Sequence, residues 1–156
     1  MSHIRSRNTK PEMIVRRYLW REGFRYRLND RRLPGHPDMV LRKYRTCIFV
    51  NGCFWHGHEG CKYSHIPKTN VEFWSKKIYR NKERDKLEQK QLAKMGWHSI
   101  TVWECQLKPK ERESTLKSLA FTLNRLFLRD HSVTYSLPEE DTDSSLAAED
   151  LEINKR

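Results

Sequence analysis

The sequence predicts an α/β domain with a small mixed sheet between helices, and three observations lead there. Segments of helical and strand-like apolar spacing follow one another as helix, short strands, helix, strand, helix. A length of 156 residues suits one domain with a real hydrophobic core and is short for two. An insert rich in glycine, histidine and cysteine, NGCFWHGHEGCKYSH, interrupts the regular elements and fits a structural metal site better than a helix or strand.

A basic arm, residues 1–8, precedes Thr9-Lys10-Pro11-Glu12. That run combines a helix N-cap, a first-turn proline and a glutamate three residues after the cap. Ile14, Val15, Tyr18 and Leu19 then recur at helical spacing, and Gly23 stands where a C-terminal cap belongs. Residues 24–28 alternate apolar and basic side chains as a short half-buried strand would, ahead of the turn-rich stretch 29–37. Residues 39–41 and 46–50 are apolar runs joined around 42–44, which predicts two strands. Thr69 and Glu72 repeat the capping-box spacing and open a long basic helix expected to reach about Met95, with Gly96 ending it. Residues 98–103 read as a strand with Cys105 just beyond, and 111–128 as a final packing helix. From about His131 to Arg156 the serine-rich acidic stretch has little to bury and is expected to be disordered. Residues 1–130 would then form one catalytic domain with the arm at its start.

Lysine and arginine number 31 against 20 acidic residues, a net charge of +11. Residues 137–156 hold seven acidic and two basic residues, which leaves the body before them at +16. A body that basic suits nucleic acid, whose binding gains from the release of condensed counterions. No run of about 18 apolar residues and no apolar signal core is present, so the expected location is the cytoplasm, with no membrane partner. In that compartment cysteines stay reduced, and a cluster of them points to a metal before disulfides.

Cys53-x4-His58-x2-Cys61 puts three borderline ligands within nine residues, and Cys105 can return from the end of the distant strand as a fourth. A closed tetrahedral Zn2+ site favours this ligand set. His56 and His65 compete with His58, and spacing does not choose among them. Cys47, inside an apolar strand, reads as a core thiol.

Pro37-Asp38 sets a carboxylate at a strand start, a common place for a magnesium ligand in nucleases. A second acid and a lysine would complete the familiar nuclease pattern about a dozen residues on, but the chain there reads Val50-Asn51-Gly52. The Val50 carbonyl is a candidate second ligand, and His56 a candidate base, because imidazole ordinarily titrates near neutrality. On the long helix Trp74, Ile78, Asn81, Asp85 and Leu92 fall within about 60° of one another at 100° per residue. Asn81 and Asp85 thus interrupt a buried stripe and need partners, and Asp85 orienting His56 would supply one. Lys76, Lys77, Arg80, Lys82 and Arg84 are candidate phosphate contacts.

At these residues the chain resembles the very short patch repair (Vsr) endonucleases, which nick DNA 5′ to the thymine of a T:G mismatch. The resemblance runs in order through NTKPE, LPGHPD, NGCFWHGH, FWSKKI, NKERD and GWHSITVWEC. It implies a restriction-endonuclease-like three-layer sandwich, Mg2+ on Asp38, His56 as base or its partner, Asp85 in support and Glu12 near the site. It also implies Cys53, His58, Cys61 and Cys105 as ligands of one structural Zn2+, and Phe54, Trp55 and Trp74 as aromatic side chains that enter the base stack. Lys77 and Asn81 on the basic helix are further candidate DNA contacts. An apolar wedge enters a poorly stacked T:G wobble pair at lower cost than normal duplex. The implied partner is double-stranded DNA with a T:G mismatch, met by a monomer, with mismatch-repair proteins and a repair polymerase as further candidates. The chain departs from the family where it carries Val50 and Asn51 in place of threonine and histidine. Two other readings of the same residues are a zinc-containing module that binds distorted duplex without cutting, and a restriction-type nuclease acting on intact DNA.

Overall fold

The computed structural model describes residues 8–132, so the expectations for the basic arm and the acidic tail lie almost wholly outside the described residues. Helix α1 (Lys10–Arg21) starts as the capping signal requires, with Thr9 Oγ1 accepting the Glu12 N–H at 3.4 Å. It stops in a Schellman motif: Gly23 takes φ +95°, its N–H reaches the Trp20 carbonyl, and the Phe24 N–H reaches that of Leu19. This explains one correction. Phe24 is consumed by the cap and buried against the core, so the strand expected over 24–28 shrinks to β1 (Arg27–Leu28).

Strands β2 (Met39–Leu41) and β3 (Thr46–Asn51) follow, joined by a 3-10 turn at Arg42–Tyr44. Helix α2 (Val71–Lys94) crosses over to β4 (His98–Trp103), and α3 (Pro109–Asp130) closes the described chain. The sheet order is β1-β2-β3-β4, antiparallel except for the parallel β3–β4 pair, in which Val50 lies opposite Val102 and Asn51 opposite Trp103.

Strand periodicity assigns the two faces. Met39, Leu41 and Ile48 point to one side with Val15 and Leu19 of α1 and Leu116, Leu119 and Leu123 of α3. Val40 and Cys47 point to the other, with Leu92 of α2. Both faces are covered, so all three residues of β2 are buried. The result is the three-layer α/β sandwich expected of a restriction-endonuclease-like chain, with Cys47 the core thiol its position suggested.

Two boundaries differ from expectation. The capping box at Thr69 does not form: the N-cap is Asn70, in the left-handed region at φ 57° and without a side-chain bond to the helix. Asparagine tolerates that conformation better than threonine, and the helix starts after it. Helix α3 starts at Pro109, two residues before the expected 111, because proline fits the first helical position. Among the described residues no helix is long and apolar enough to cross a membrane.

Candidate active site and metal centre

The loop after β3 is built around sulfur and imidazole. Cys53 is 1% exposed at its start, Cys61 caps the 3-10 turn Lys62–Ser64, and Cys105 sits in the turn that follows β4. The ligand atoms of Cys53, His58, Cys61 and Cys105 all lie within 4.8 Å of one another, and no disulfide links the cysteines. His58 Nδ1 approaches Cys105 Sγ at 3.5 Å while its ring stacks on Trp103, 4.1 Å between centroids and 6° between planes. Ser64 Oγ donates to the carbonyls of His58 and Cys61, pinning the loop backbone. Three thiols and one imidazole at this spacing fit a tetrahedral Zn2+. Of the three competing histidines, only His58 joins the cluster; His56 faces elsewhere and His65 stays out.

Between Cys53 and His58 the chain turns tightly. The His58 N–H reaches the Cys53 carbonyl and the Gly57 N–H that of Phe54. Gly57 has φ +59°, and a Cβ there would meet Ile78 Cγ2 and Lys82 Cδ at 2.7 Å. The turn lies this close to α2, and that proximity delivers His56 to the helix: His56 Nδ1 is 2.6 Å from Asp85 Oδ2. Asn81 Nδ2 donates to the Trp55 carbonyl at 2.8 Å, a second tie from α2 to the same turn. The two polar interruptions of the apolar stripe thus both find partners in the loop.

A cavity of about 600 Å³ opens in front of this turn, lined among others by Glu12, Asp38, Val50, Asn51, Trp55 and His56. Asp38 enters it from the start of β2, with Oδ2 accepting the Val50 N–H at 2.6 Å. Burial, reinforced by the negative charge of Glu12, pushes the Asp38 carboxyl up to about 6, against the opposing Val50 N–H, His56 and Arg16. Hard oxygen donors at Asp38, Glu12 and the Val50 main chain match the demands of Mg2+. Glu12 is itself 2% exposed and ion-paired to Arg16 at 2.6 Å.

Phe54, Trp55 and Trp74 form one mutually edge-packed group, with centroids 5.1, 5.2 and 5.7 Å apart. All three are half-buried, and Phe73, 58% exposed, extends the group outward. Of these, Trp55 lines the cavity, and none of them belongs to either core cluster.

The profile of the DNA mismatch endonuclease Vsr family matches residues 1–62. The DNA mismatch endonuclease Vsr of Escherichia coli is 41% identical over 112 residues, 72% of this chain and 71% of that protein. The type II nicking enzyme V.NmeAIP of Neisseria meningitidis is 53% identical over 110 residues, 70% of this chain and 78% of that protein. This chain belongs to the Vsr family. A third relative, the type II nicking enzyme V.NaeI of Lentzea aerocolonigenes, is 33% identical over 131 residues, 81% of this chain and 75% of that protein. The chain is accordingly a DNA endonuclease, and the non-cleaving zinc module is set aside.

Within this Vsr-family site, Arg84, one of the candidate phosphate contacts, lines the cavity beside Lys77 and Asn81, as its spacing of seven and three residues from them on α2 allows. Sequence reading gave no cavity role to Glu104, Asn51 and Thr9, which also line it. The five candidate phosphate contacts of α2 do not form one phosphate-facing row. Lys77 and Arg84 line the cavity, whereas Lys82, 140° from Lys77 on the helical wheel, pairs with Glu59 at 3.0 Å. Asn51 and His56 form a shared wall with a second cavity of about 350 Å³, which Lys82, Asp85 and Lys86 line from behind.

Proposed function

We propose that this Vsr-family endonuclease makes a magnesium-dependent nick in one strand, 5′ to the thymine of a T:G mismatch, with residues 1–130 as its catalytic domain. One observation carries the reading: the Asp38 carboxylate, the His56–Asp85 pair and the Trp55 ring line or flank one cavity. A scissile phosphate seated there would meet all three.

His56 is the general base. Asp85 Oδ2 accepts a hydrogen bond from Nδ1–H, so Nε2 keeps its lone pair and can take a proton from the attacking water. Asp38 and the Val50 carbonyl would hold Mg2+, which supplies Lewis-acid stabilisation of the charge that develops on the phosphate. Glu12 lies beside them at the cavity wall. Lys77 and Arg84 pair with backbone phosphates, which positions the duplex without reading its sequence. Phe54, Trp55 and Trp74 act as the wedge: a rigid aromatic group entering the stack beside a wobble pair favours mismatched over intact duplex, and this speaks against a restriction-type substrate. Asn81 contributes by bracing Trp55. Zn2+ on Cys53, His58, Cys61 and Cys105 would hold the loop that bears the base and two of the three wedge rings, Phe54 and Trp55. The protein acts as a monomer in the cytoplasm, and the nick it leaves is a substrate for a repair polymerase.

The test is incubation of end-labelled T:G and T:A duplexes with wild type and Asp38→Ala in Mg2+. The reading expects a single nick in the T:G duplex, made by wild type only. Cutting of both duplexes alike removes the mismatch assignment, and equal cutting by both proteins removes Asp38 from the chemistry.

A further inference from the structure

Glu12 and Arg16 lie one turn apart on α1, and both are buried, at 2% and 8% exposure. Arg16 Nη2 donates to Glu12 Oε2 at 2.6 Å. Glu12 lines the cavity and Arg16 does not, so the guanidinium grips the carboxylate from behind. Arg16 is in turn tied down: its carbonyl accepts the Tyr26 hydroxyl at 2.9 Å, and Nη1 lies 3.2 Å from Met13 Sδ.

As a stability device this pair is poor. Taking both charges from water costs several kcal/mol, roughly, before their attraction is counted. Arg16 Nε is also buried with no hydrogen-bond partner. The other buried positions on the core side of α1, Val15 and Leu19, are apolar, so an apolar side chain at 16 would continue the pattern of the helix. What the pair does provide is geometry. Without Arg16 a glutamate has three free torsions; with it, Oε2 is fixed, and among the described residues Oε1 makes no hydrogen bond. The Arg16 charge also reaches Asp38 and opposes the rise that Glu12 causes there.

We propose that Arg16 is a positioning residue of the nuclease: by clamping Oε2 of Glu12 it aims the remaining oxygen into the cavity beside Asp38, completing the seat for a divalent cation and its waters. The inference rests on the divalent-metal reading above. Partners that orient metal ligands in this way are worth roughly ten- to a hundredfold in metal affinity.

The test is Mn2+ titration followed by electron paramagnetic resonance on the zinc-loaded protein bound to nicked T:G duplex, for wild type, Arg16→Met, Arg16→Lys, Glu12→Gln and Glu12→Gln/Arg16→Met. Arg16→Met should weaken Mn2+ binding about tenfold and raise the Mg2+ needed for half-maximal nicking by a like factor. Duplex affinity in EDTA should hold within about twofold. Arg16→Lys should recover part of the loss, and in the Glu12→Gln background the Met substitution should change nothing further. Unchanged Mn2+ affinity in Arg16→Met, or an equal loss with and without the Glu12 carboxylate, overturns the proposal and leaves Arg16 a packing residue. If Arg16→Met does not fold, Arg16→Lys in the two Glu12 backgrounds gives the same comparison. Asp38→Ala separates the two claims: Mn2+ binding that survives it removes the metal seat itself, whatever Arg16 does.

Discussion

His56 Nδ1 and Asp85 Oδ2 lie 2.6 Å apart although 29 residues separate them in the chain. The pair joins the loop that bears the Cys/His cluster to the long helix, and on the proposed reading it leaves Nε2 as the nitrogen that faces the substrate. Asp85→Asn keeps the size of the side chain but can present an amide N–H to Nδ1, which moves the ring proton to Nε2 and disables the base. Single-turnover nicking should fall about a hundredfold, the lower range for loss of general-base catalysis, with duplex affinity unchanged. A rate within about twofold of wild type would remove Asp85 from this role.

Much of this site could be read in the chain before its fold was known. Helical spacing alone put Asn81 and Asp85 on an otherwise apolar stripe, and the loop supplied partners for both. The cysteine spacing announced the cluster, but only the fold could choose His58, because the choice depends on stacking against Trp103 from a strand 45 residues away. Arg16 was invisible for a related reason. Basic residues on an amphipathic helix ordinarily face water, and nothing local shows that α1 turns this one inward. The short β1 was overestimated because the helix cap claimed Phe24, a competition between local signals that alternation does not reveal.

Asp38 gives a pH prediction for the metal-free protein. Its carboxyl is raised from 3.8 to about 6, so the folded state binds the proton more tightly than the unfolded chain. No cost arises below about pH 4; it grows between 4 and 6 and is complete above 6, on the order of 3 kcal/mol at most. Asp38→Asn can still accept the Val50 N–H. In EDTA it should therefore raise the melting temperature at pH 7.5 and lose that advantage by pH 4, as thermal melts across this range would show.

Gly57→Ala places a methyl 2.7 Å from Ile78 and Lys82 on a backbone at φ +59°. The turn must shift, at a cost of roughly 1–3 kcal/mol, and His56 shifts with it. Denaturant unfolding should report the loss of stability, and nicking should fall by more than that loss accounts for.

Salt separates the basic residues of α2. Lys77→Ala and Arg84→Ala should each reduce the slope of log affinity against log salt by about 1. Lys82→Ala should leave it nearly unchanged, since that ammonium is held by Glu59 away from the larger cavity. Fluorescence anisotropy between low and moderate salt gives the three slopes.

Removal of the proposed zinc should disable chemistry it does not touch. Cys105→Ala leaves Asp38, His56 and Asp85 in place, yet frees the loop from the end of β4. One equivalent of zinc is expected in wild type and less than half in the variant by elemental analysis, with nicking lost in proportion. Wild type purified without zinc and fully active would refute the role given to the cluster.

The most direct test of the account is the nicking rate of His56→Ala on a T:G duplex, measured on protein whose zinc content and duplex affinity match wild type. If the clustered cysteines and His58 hold this turn so as to present a base to the phosphate beside Asp38, the rate falls at least about a hundredfold while zinc and affinity stay constant. Nicking at the wild-type rate would contradict it.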